Sequence, residues 1–352
     1  MTMRPPTMRP PTIRDVAARA GVSKSLVSLA LQGSPRVSPT SSAAIRAAAQ
    51  ELGYRPNAAA RSLGAARTRT IGVFLLDLHN PVTADFVDAA QAEARRRDFR
   101  TLLVVGGDDD RAERSELDKL LQFRVEGMIA FGHRLPVGAD QAIGPDFPSV
   151  IVSSLHPGIS HLAGLANDDV AGARLAVEHL VSLGHVRIAH VTGGSNEVAM
   201  RRRMGYEQGM REAGLADQIH CLPGAFSDVG GHAGMSAALQ CDPLPTAVFV
   251  CSDYAAIGAM AAIVEHGLRI PQDISVIGYD GTRLSAMPTF ELTTIAQPIA
   301  QLAQQAAAML AAHLDAGGPL TGSTLLAPSI LHRRTTAPPQ GTQVPNGPTD
   351  PG

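Results

Sequence analysis

The chain has 352 residues, of which 45% are hydrophobic and 4% aromatic, so it is long and apolar enough for two or three folding units with aliphatic cores. No apolar run approaches the length of a membrane span and the amino terminus lacks the apolar core of a signal peptide, so we expect a cytoplasmic protein and no membrane partner. The formal net charge of −2 hides an asymmetry, because eleven Lys and Arg accompany two acidic residues up to Arg69, and a basic end on an acidic body indicates binding of a polyanion.

The first predicted folded segment is a set of three short helices. Thr12 can cap a first helix, Gly21 supplies a sharp turn, and Ser23 can cap a second helix. Ser38, which is followed by a proline, opens a third helix that closes a small core. Two short helices joined by a glycine-containing turn of about three to four residues predict a helix-turn-helix.

The rest of the chain alternates between apolar strands and amphipathic helices. Strands are predicted at 70–76, 100–105, 127–131, 149–152, 162–166, 187–191, 247–250 and 274–277, and helices at 84–97, 111–123, 171–183, 201–213, 255–266 and 299–314. This alternation favours parallel strands connected by crossover helices. We expect two similar α/β lobes, with the chain crossing between them more than once.

The order of residues is more specific than a bare helix-turn-helix. The runs I-R-D-V-A at 13–17, A-G-V-S at 20–23 and L-G-Y-R-P-N at 52–57, with I-P-Q-D-I-S-V-I-G-Y-D at 270–280 in the body, closely resemble the lactose/galactose-repressor family of bacterial transcriptional regulators. The likeness extends over about residues 12–335. It implies an α-helical helix-turn-helix headpiece followed by an α/β two-lobed body like that of the periplasmic binding proteins.

The resemblance also implies domain boundaries. We expect a disordered arm at 1–11, a helix-turn-helix DNA-binding domain at 12–56, a hinge helix and linker at 57–69, an effector-binding and dimerisation body at 70–335 and a disordered tail at 336–352. The segment after residue 57 has few apolar side chains to bury and is under two helical turns long. Such a helix is marginal in water and becomes ordered only when docked.

In the family that the chain resembles, the second helix enters the major groove and the hinge helix docks in the minor groove. The residues expected at the DNA are Thr12, Ser23, Lys24, Ser25, Ser28, Leu29, Arg36, Arg55, Asn57, Ala60 and Leu63. Lys24 and Ser25 are the best candidates for base edges, and Arg36, Arg55 and also Arg61 for phosphates. Leu29 stands where many family members have Arg, so we expect that base pair to be read through a thymine methyl. Leu63 is expected to wedge into a base step.

Polar residues at the carboxyl ends of the predicted strands indicate where a small molecule binds. The residues expected to contact an effector, some of them through the resemblance alone, are Asp77, Asn80, Asp168, Arg202, Phe226, Ser252, Asp280 and Gln297. Carboxylates, amides and a bidentate Arg suit the hydroxyl groups of a sugar or related metabolite. Ser252 stands where many members have Asn, which leaves the effector unidentified. Asp253 is expected to cap its helix.

These patterns together predict an effector-responsive, sequence-specific transcriptional repressor. It is expected to bind a pseudo-palindromic operator in double-stranded DNA as a homodimer. A soluble sugar-binding protein without a DNA role is the alternative. An enzyme is not expected, because Gly106-Gly107-Asp108 lacks the spacing of a nucleotide-binding loop and the twelve histidines show no metal-ligand spacing. No catalytic residue, cofactor or metal is expected.

Overall fold

The structure is a computed structural model that describes residues 11–31, 33–55, 67–106, 109–132, 139, 147–155 and 162–340. The chain forms two compact units, Met1–Thr68 and Arg69–Gly352. Most of the predicted arm, the hinge segment at 57–66 and the end of the predicted tail lie outside the described residues. Within the described part of the chain, no helix is long and apolar enough to cross a membrane.

The amino-terminal unit contains α1 (Ile13–Ala20), α2 (Lys24–Leu31) and α3 (Pro39–Glu51). At the start of α1 the carboxylate of Asp15 accepts hydrogen bonds from the backbone N–H and the hydroxyl of Thr12, both at 2.7 Å. Gly21 ends α1 with a φ of +65°, which a glycine adopts without strain. The hydroxyls of Ser23 and Ser38 accept from backbone N–H groups in the first turns of α2 and α3. The predicted helix-turn-helix and its caps are confirmed.

A small aliphatic core holds these three helices together. Val16, Val27 and Ile45 contribute one fully buried side chain from each helix. Full burial of such a side chain stabilises a fold by roughly 2 kcal/mol. Alanines fill much of the remaining space, so the helices pack closely. The opposite face of α2 is not part of this core.

Lobe 1 of the second unit begins with the predicted alternation of strands and helices. Its elements in chain order are β1 (Thr70–Leu75), α4 (Val82–Arg96), β2 (Arg100–Val105), α5 (Asp110–Gln122), β3 (Gly127–Phe131), β4 (Ser149–Val152) and β5 (Leu162–Asn167), and it is completed from far downstream by α10 (Ile299–Ala316) and β11 (Gly322–Leu326). The sheet order is β11-β5-β4-β3-β1-β2, with all neighbours parallel.

Lobe 2 repeats the architecture. Its elements are α6 (Asp169–Ser182), β6 (Ile188–Val191), α7 (Glu197–Glu212), a 3₁₀ turn (Ala216–Gln218), β7 (His220–Leu222), α8 (Asp228–Ala238), β8 (Ala247–Val250), α9 (Asp253–Glu265), β9 (Ser275–Asp280), β10 (Thr293–Ala296) and β12 (Ser329–Leu331). The order is β12-β10-β9-β8-β6-β7, parallel except for β12 against β10. The chain passes between the lobes after β5, after β10 and after β11, which confirms the predicted multiple crossing.

The sequence patterns did not predict α8, because three glycines lower its helical propensity. Gly231 of α8 packs against α9 so closely that an added Cβ would lie 1.8 Å from the carbonyl oxygen of Ala255. Gly258 of α9 meets the carbonyl oxygen of Asp228 at the same distance. The glycines are therefore contact surfaces between two helices and do not interrupt either one.

Lobe 2 also holds the end of the predicted body and the beginning of the predicted disordered tail. The hydroxyl of Thr335 donates to the backbone oxygen of Val276 at 2.7 Å. The backbone oxygen of Ala337 accepts from the hydroxyl of Ser275 at 3.0 Å. Ala337, which the sequence analysis placed in the tail, is therefore bound to lobe 2.

Candidate functional site

The first candidate surface is the amino-terminal end of α2. Ser23, Lys24 and Ser25 are all exposed there, while Val27 and Ala30 on the other side of the helix are buried. The first turn of α2 contains no acidic residue. An ammonium group and two hydroxyls at a helix amino terminus can donate to phosphates and to base acceptors.

The other residues predicted to contact DNA differ in how exposed their side chains are. Arg36 and Arg55 are exposed, Ser28 is half-buried, and the side chain of Leu29 packs partly against the core of the unit. The hydroxyl of Thr12 is engaged by Asp15 at the cap of α1. Asn57, Ala60, Arg61 and Leu63 lie outside the described residues.

The second candidate site is a cavity of about 280 Å³ in the body, lined by residues of both lobes. Of the predicted effector residues it contains Asp77, Asn80, Arg202, Phe226, Asp280 and Gln297. The patterns missed other polar or aromatic residues that line it, namely Thr83, Glu113, Phe131, Ser153, Asn167, Asp169 and Asn196. Glu113 and Phe131 lie inside a predicted helix and a predicted strand, where nothing in the sequence marks a side chain as facing a cavity.

Arg202 of α7 is 2% exposed and lines the cavity together with Asp169 and Asp280, in a buried group that we call the cavity floor. Its Nε donates to Asp169 Oδ1 at 3.0 Å, and its Nη1 donates to Asp280 Oδ1 at 3.2 Å and to the backbone oxygen of Cys251 at 2.5 Å. The guanidinium carbon lies 3.7 Å from the ring centroid of Tyr279. Burial acts to lower the pKa of Arg202, but the charges of Asp169 and Asp280 outweigh it and raise that pKa above its ordinary value.

Asp280 reaches the cavity from the end of β9 with an unusual backbone. Its φ is +119°, a conformation that residues with a side chain rarely adopt and that a surrounding structure must hold in place. Gln297 supplies part of that hold, because its amide donates to Asp280 Oδ1 at 2.7 Å and its backbone N–H donates to the Asp280 backbone oxygen at 3.1 Å. Burial raises the pKa of Asp280 to about 7, against the opposing effect of Arg202.

Asn167 ends β5 beside this cluster. Its amide nitrogen donates to Asp169 Oδ1 at 3.2 Å and to the phenolic oxygen of Tyr279 at 2.6 Å. The side-chain oxygens Asn167 Oδ1 and Asp280 Oδ2 are both buried without a hydrogen-bond partner. Buried polar atoms are satisfied in most proteins, so two such acceptors in one cavity indicate that a ligand completes them.

Aromatic rings border the cavity on both lobes. Phe131 is held by a stacked contact with Phe86, with ring centroids 4.1 Å apart. Phe226 of lobe 2 lies over Gly193, where an added Cβ would come within 2.4 Å of the ring. A flat or ring-shaped ligand can pack its apolar face on such rings.

Two predicted effector residues lie outside the cavity, and the prediction for them is corrected. Asp168 caps α6, because its Oδ1 accepts from the backbone N–H of Ala171 at 3.0 Å; the next residue, Asp169, lines the cavity instead. Ser252 is fully buried and caps α9 by accepting from the backbone N–H of Ala255 at 3.1 Å. The error at Asp168 comes from ending β5 one residue too early, whereas Ser252 was placed by the family resemblance, since β8 ends at Val250 as predicted.

The expected cap by Asp253 is also wrong, because Ser252 holds the cap position and Asp253 is the first residue of the helix. Its carboxylate is fully buried and accepts from the backbone N–H of Thr282 at 2.7 Å and from the hydroxyl of Thr294 at 2.5 Å. Burial raises the pKa of Asp253, and these hydrogen bonds act against that change. Asp253 therefore ties α9 to the ends of the neighbouring strands.

Two family models match the chain. "Bacterial regulatory proteins, lacI family" matches residues 12–57, and "Periplasmic binding protein-like domain" matches residues 177–336. The first covers the three-helix unit with the exposed end of α2. The second covers most of lobe 2 and the helix that returns to lobe 1.

Individual relatives match over nearly the whole length. The transcriptional regulator GalR of Escherichia coli (strain K12) is 31% identical over 327 residues, covering 92% of this chain and 95% of GalR. The ribose operon repressor of Haemophilus influenzae is 32% identical over 292 residues, covering 82% of this chain and 88% of that repressor. The crystal structure of the lac repressor dimer bound to operator and an anti-inducer is 30% identical with a TM-score of 0.79, covering 94% of this chain and all of that one.

Proposed function

The chain belongs to the lacI family of bacterial regulatory proteins, and on this premise we propose that it is a sequence-specific transcriptional repressor controlled by a small molecule. The effector, a sugar or related metabolite, binds in the cavity that both lobes line. The observation that carries the proposal is the open end of α2: Ser23, Lys24 and Ser25 are exposed on a separately packed helix-turn-helix. This is the arrangement that a reading helix needs in the major groove.

The roles at DNA follow from chemistry and exposure. Lys24 and Ser25 read base edges, and Arg36 and Arg55 hold phosphates, which set register without reading sequence. The part of Leu29 that the core leaves open contacts a thymine methyl. In the hinge, Asn57 and Ala60 contact the DNA and Leu63 enters a base step, as the family resemblance implies.

The repressor acts as a cytoplasmic homodimer. One helix-turn-helix reads one half-site, so a pseudo-palindromic operator requires two copies related by a two-fold axis. The lac repressor structure, in which a dimer is bound to its operator, supports the same arrangement for this chain.

Effector control requires that the ligand bind two states of the body with different affinity. Contacts between the lobes that such a change would alter are present at the cavity and away from it. Ser154 Oγ donates to Glu197 Oε2 at 2.9 Å, and Arg283 Nε lies 3.0 Å from Asp85 Oδ1. A ligand that favours one lobe angle over the other by about 1–3 kcal/mol changes operator affinity by roughly 5- to 150-fold.

The test is the selection of a duplex from a random library by the full-length protein, followed by fluorescence anisotropy with that duplex and with a scrambled one. We expect the selected duplex to bind at least a hundredfold more tightly than the scrambled one. Replacing both Lys24 and Ser25 with Ala should remove most of that ratio. The control is Arg111→Ala, an exposed arginine on α5 of the body, which should leave the ratio unchanged.

Failure to enrich any sequence would contradict the proposal. So would a binding constant for the selected duplex that does not change between 50 and about 200 mM salt, because phosphate contacts release counterions and make affinity salt-dependent.

A further inference from the structure

The buried polar atoms in and beside the cavity floor that lack a hydrogen-bond partner are acceptors. Asn167 Oδ1 and Asp280 Oδ2 are both buried acceptors without a partner. The orientation of the Asn167 amide is fixed by Asp169, since a carboxylate can only accept and the amide nitrogen must face it at 3.2 Å. The oxygen therefore has to face elsewhere. A ligand that completes this floor must bring hydrogen-bond donors to it.

Arg202, although it is positively charged, does not provide a binding site for an anionic ligand. Two carboxylates and a backbone oxygen already accept from its guanidinium group, and the ring of Tyr279 covers one of its faces. Its charge is thus neutralised by the protein. An anionic ligand would gain little from it and would approach Asp169 and Asp280 at the same time.

Lobe 1 adds further acidic side chains to the same cavity. Asp77 follows β1, and Glu113 of α5 lines the cavity although it is only 3% exposed. Among the described residues that line the cavity, Arg202 is the only basic one, against four with carboxyl groups. The charges of these described residues therefore disfavour phosphates and carboxylates in the cavity and tolerate neutral or positively charged groups.

We infer that the effector is a ring-shaped metabolite that presents several hydroxyl or amino donors and carries no phosphate or carboxylate group. This rests on the proposed function, because it concerns the same cavity. The donors reach Asn167 and Asp280, and an apolar face of the ring packs against Phe131 or Phe226. Phosphorylated sugars, sugar acids and nucleotides are excluded as effectors by the same chemistry.

The experiment uses the full-length protein in equilibrium dialysis against a metabolite extract of the bacterium that carries the gene, with mass spectrometry of what it retains. We expect the wild-type protein to retain a compound that is neutral or positively charged at pH 7.5 and has several exchangeable hydrogens. Asp280→Asn should retain at least tenfold less of it. Asp118→Asn, an exposed aspartate on α5, is the matched control and should retain as much as the wild type.

A second measurement does not depend on whether the Asp280 variant folds. Thermal shifts of the wild-type protein are recorded with matched sets that differ only in charge: D-galactose, D-galactosamine and D-galacturonate, and D-ribose with D-ribose 5-phosphate. Any shift should be larger for the neutral or amino member than for its acidic counterpart, since ligands stabilise by mass action.

Retention of a phosphorylated or carboxylated compound, a larger shift with the acidic member of a set, or failure to retain any neutral or cationic compound would overturn the inference. The same preparations are assayed on the selected duplex. An anionic effector that changes DNA binding would overturn only the ligand class, whereas loss of sequence-specific DNA binding would overturn the proposed function itself.

Discussion

The side-chain amide of Asn167 in lobe 1 donates a hydrogen bond to the phenolic oxygen of Tyr279 in lobe 2, at 2.6 Å. Asn167 is the last residue of β5, where the chain first leaves lobe 1, and Tyr279 lies under the guanidinium group of Arg202. The bond therefore joins the first crossover to the cluster on the cavity floor. A change in the angle between the lobes must either keep this bond and move the cluster, or break it.

Tyr279→Phe removes that bond and retains the ring under Arg202. We expect the body to lose about 1 kcal/mol of unfolding free energy, the usual net value of one buried hydrogen bond. Urea denaturation followed by far-UV circular dichroism measures the loss. Tyr254→Phe is the control, because its hydroxyl is not buried. Equal stability of Tyr279→Phe and wild type would show that the bond does not hold the lobes.

Arg202→Ala is expected to destabilise the body by about 3–5 kcal/mol, because it leaves the buried carboxylates of Asp169 and Asp280 without their cation. It should also remove the response to effector. Arg203→Ala is the matched control: its side chain is 57% exposed and pairs with Glu207 on the surface, so its loss should cost less than about 1 kcal/mol. A fully stable Arg202→Ala protein would contradict the described cluster. Calorimetry of both variants measures how much each substitution destabilises the protein.

Gly231→Ala should separate two helices. The new methyl group would meet the backbone oxygen of Ala255, which cannot rotate away. We expect a loss of about 1–3 kcal/mol, typical of overpacking in a close contact. Ala233→Ser, at an exposed position of the same helix, should cost less than about 1 kcal/mol. Chemical denaturation measures the unfolding free energy of both variants. Similar losses for the two would refute the close contact of α8 and α9.

Two kinds of basic residue in the headpiece should behave differently on DNA. Arg36→Ala or Arg55→Ala should weaken binding to selected and scrambled duplexes alike and reduce the slope of log K against log salt by about 1. Lys24→Ala should cost about 1–3 kcal/mol on the selected duplex and relax its sequence preference. Anisotropy at several salt concentrations separates these outcomes. Equal losses on both duplexes for Lys24→Ala would assign that residue to the phosphates.

The buried imidazole of His190 should make the stability of the folded protein depend on pH. It is fully buried, and burial lowers its pKa to about 4. Its folded pKa is below the unfolded value of 6.5, so the unfolded state takes up protons first as the pH falls. The contribution of His190 is present above pH 6.5 and is lost as the pH falls towards 4, by about 3 kcal/mol in all.

The matched variant is His190→Asn, whose amide can still donate to the backbone oxygen of Phe249, the partner of His190 Nδ1 at 3.0 Å. Denaturation curves at pH 7 and at about pH 4.5 should show a smaller acid loss for the variant than for the wild type. Asp280 acts in the opposite direction over this range, since its raised pKa stabilises the folded state at low pH. It is common to both proteins and cancels in the comparison.

The sequence predicted those elements whose structure is determined by residues close together in the chain. Thr12, Gly21, Ser23 and Ser38 act on backbone within a few residues of themselves, so the helix-turn-helix and its caps could be predicted and are confirmed. Strands in the buried parallel sheets were likewise recognisable as short apolar runs.

The cavity depends on contacts that no local pattern records. Whether Asp168 or Asp169 faces the ligand is decided by where β5 ends, and a difference of one residue turns a side chain to the other side. Glu113 sits in an ordinary amphipathic helix and reaches the cavity only because α5 packs on lobe 1 as it does. Asn167 acquires its role from Tyr279, which is 112 positions away along the chain.

The return of α10 to lobe 1 has a consequence for the order of assembly during synthesis. Lobe 1 is the first lobe to leave the ribosome, yet Leu302, Ala306 and Leu310 of its core, and its edge strand β11, are made after nearly all of lobe 2. Until they emerge, the apolar face of β3, β4 and β5 lacks the helix that covers it and is open to aggregation or to chaperones. The lobe that begins folding first is therefore among the last parts of the molecule to be finished.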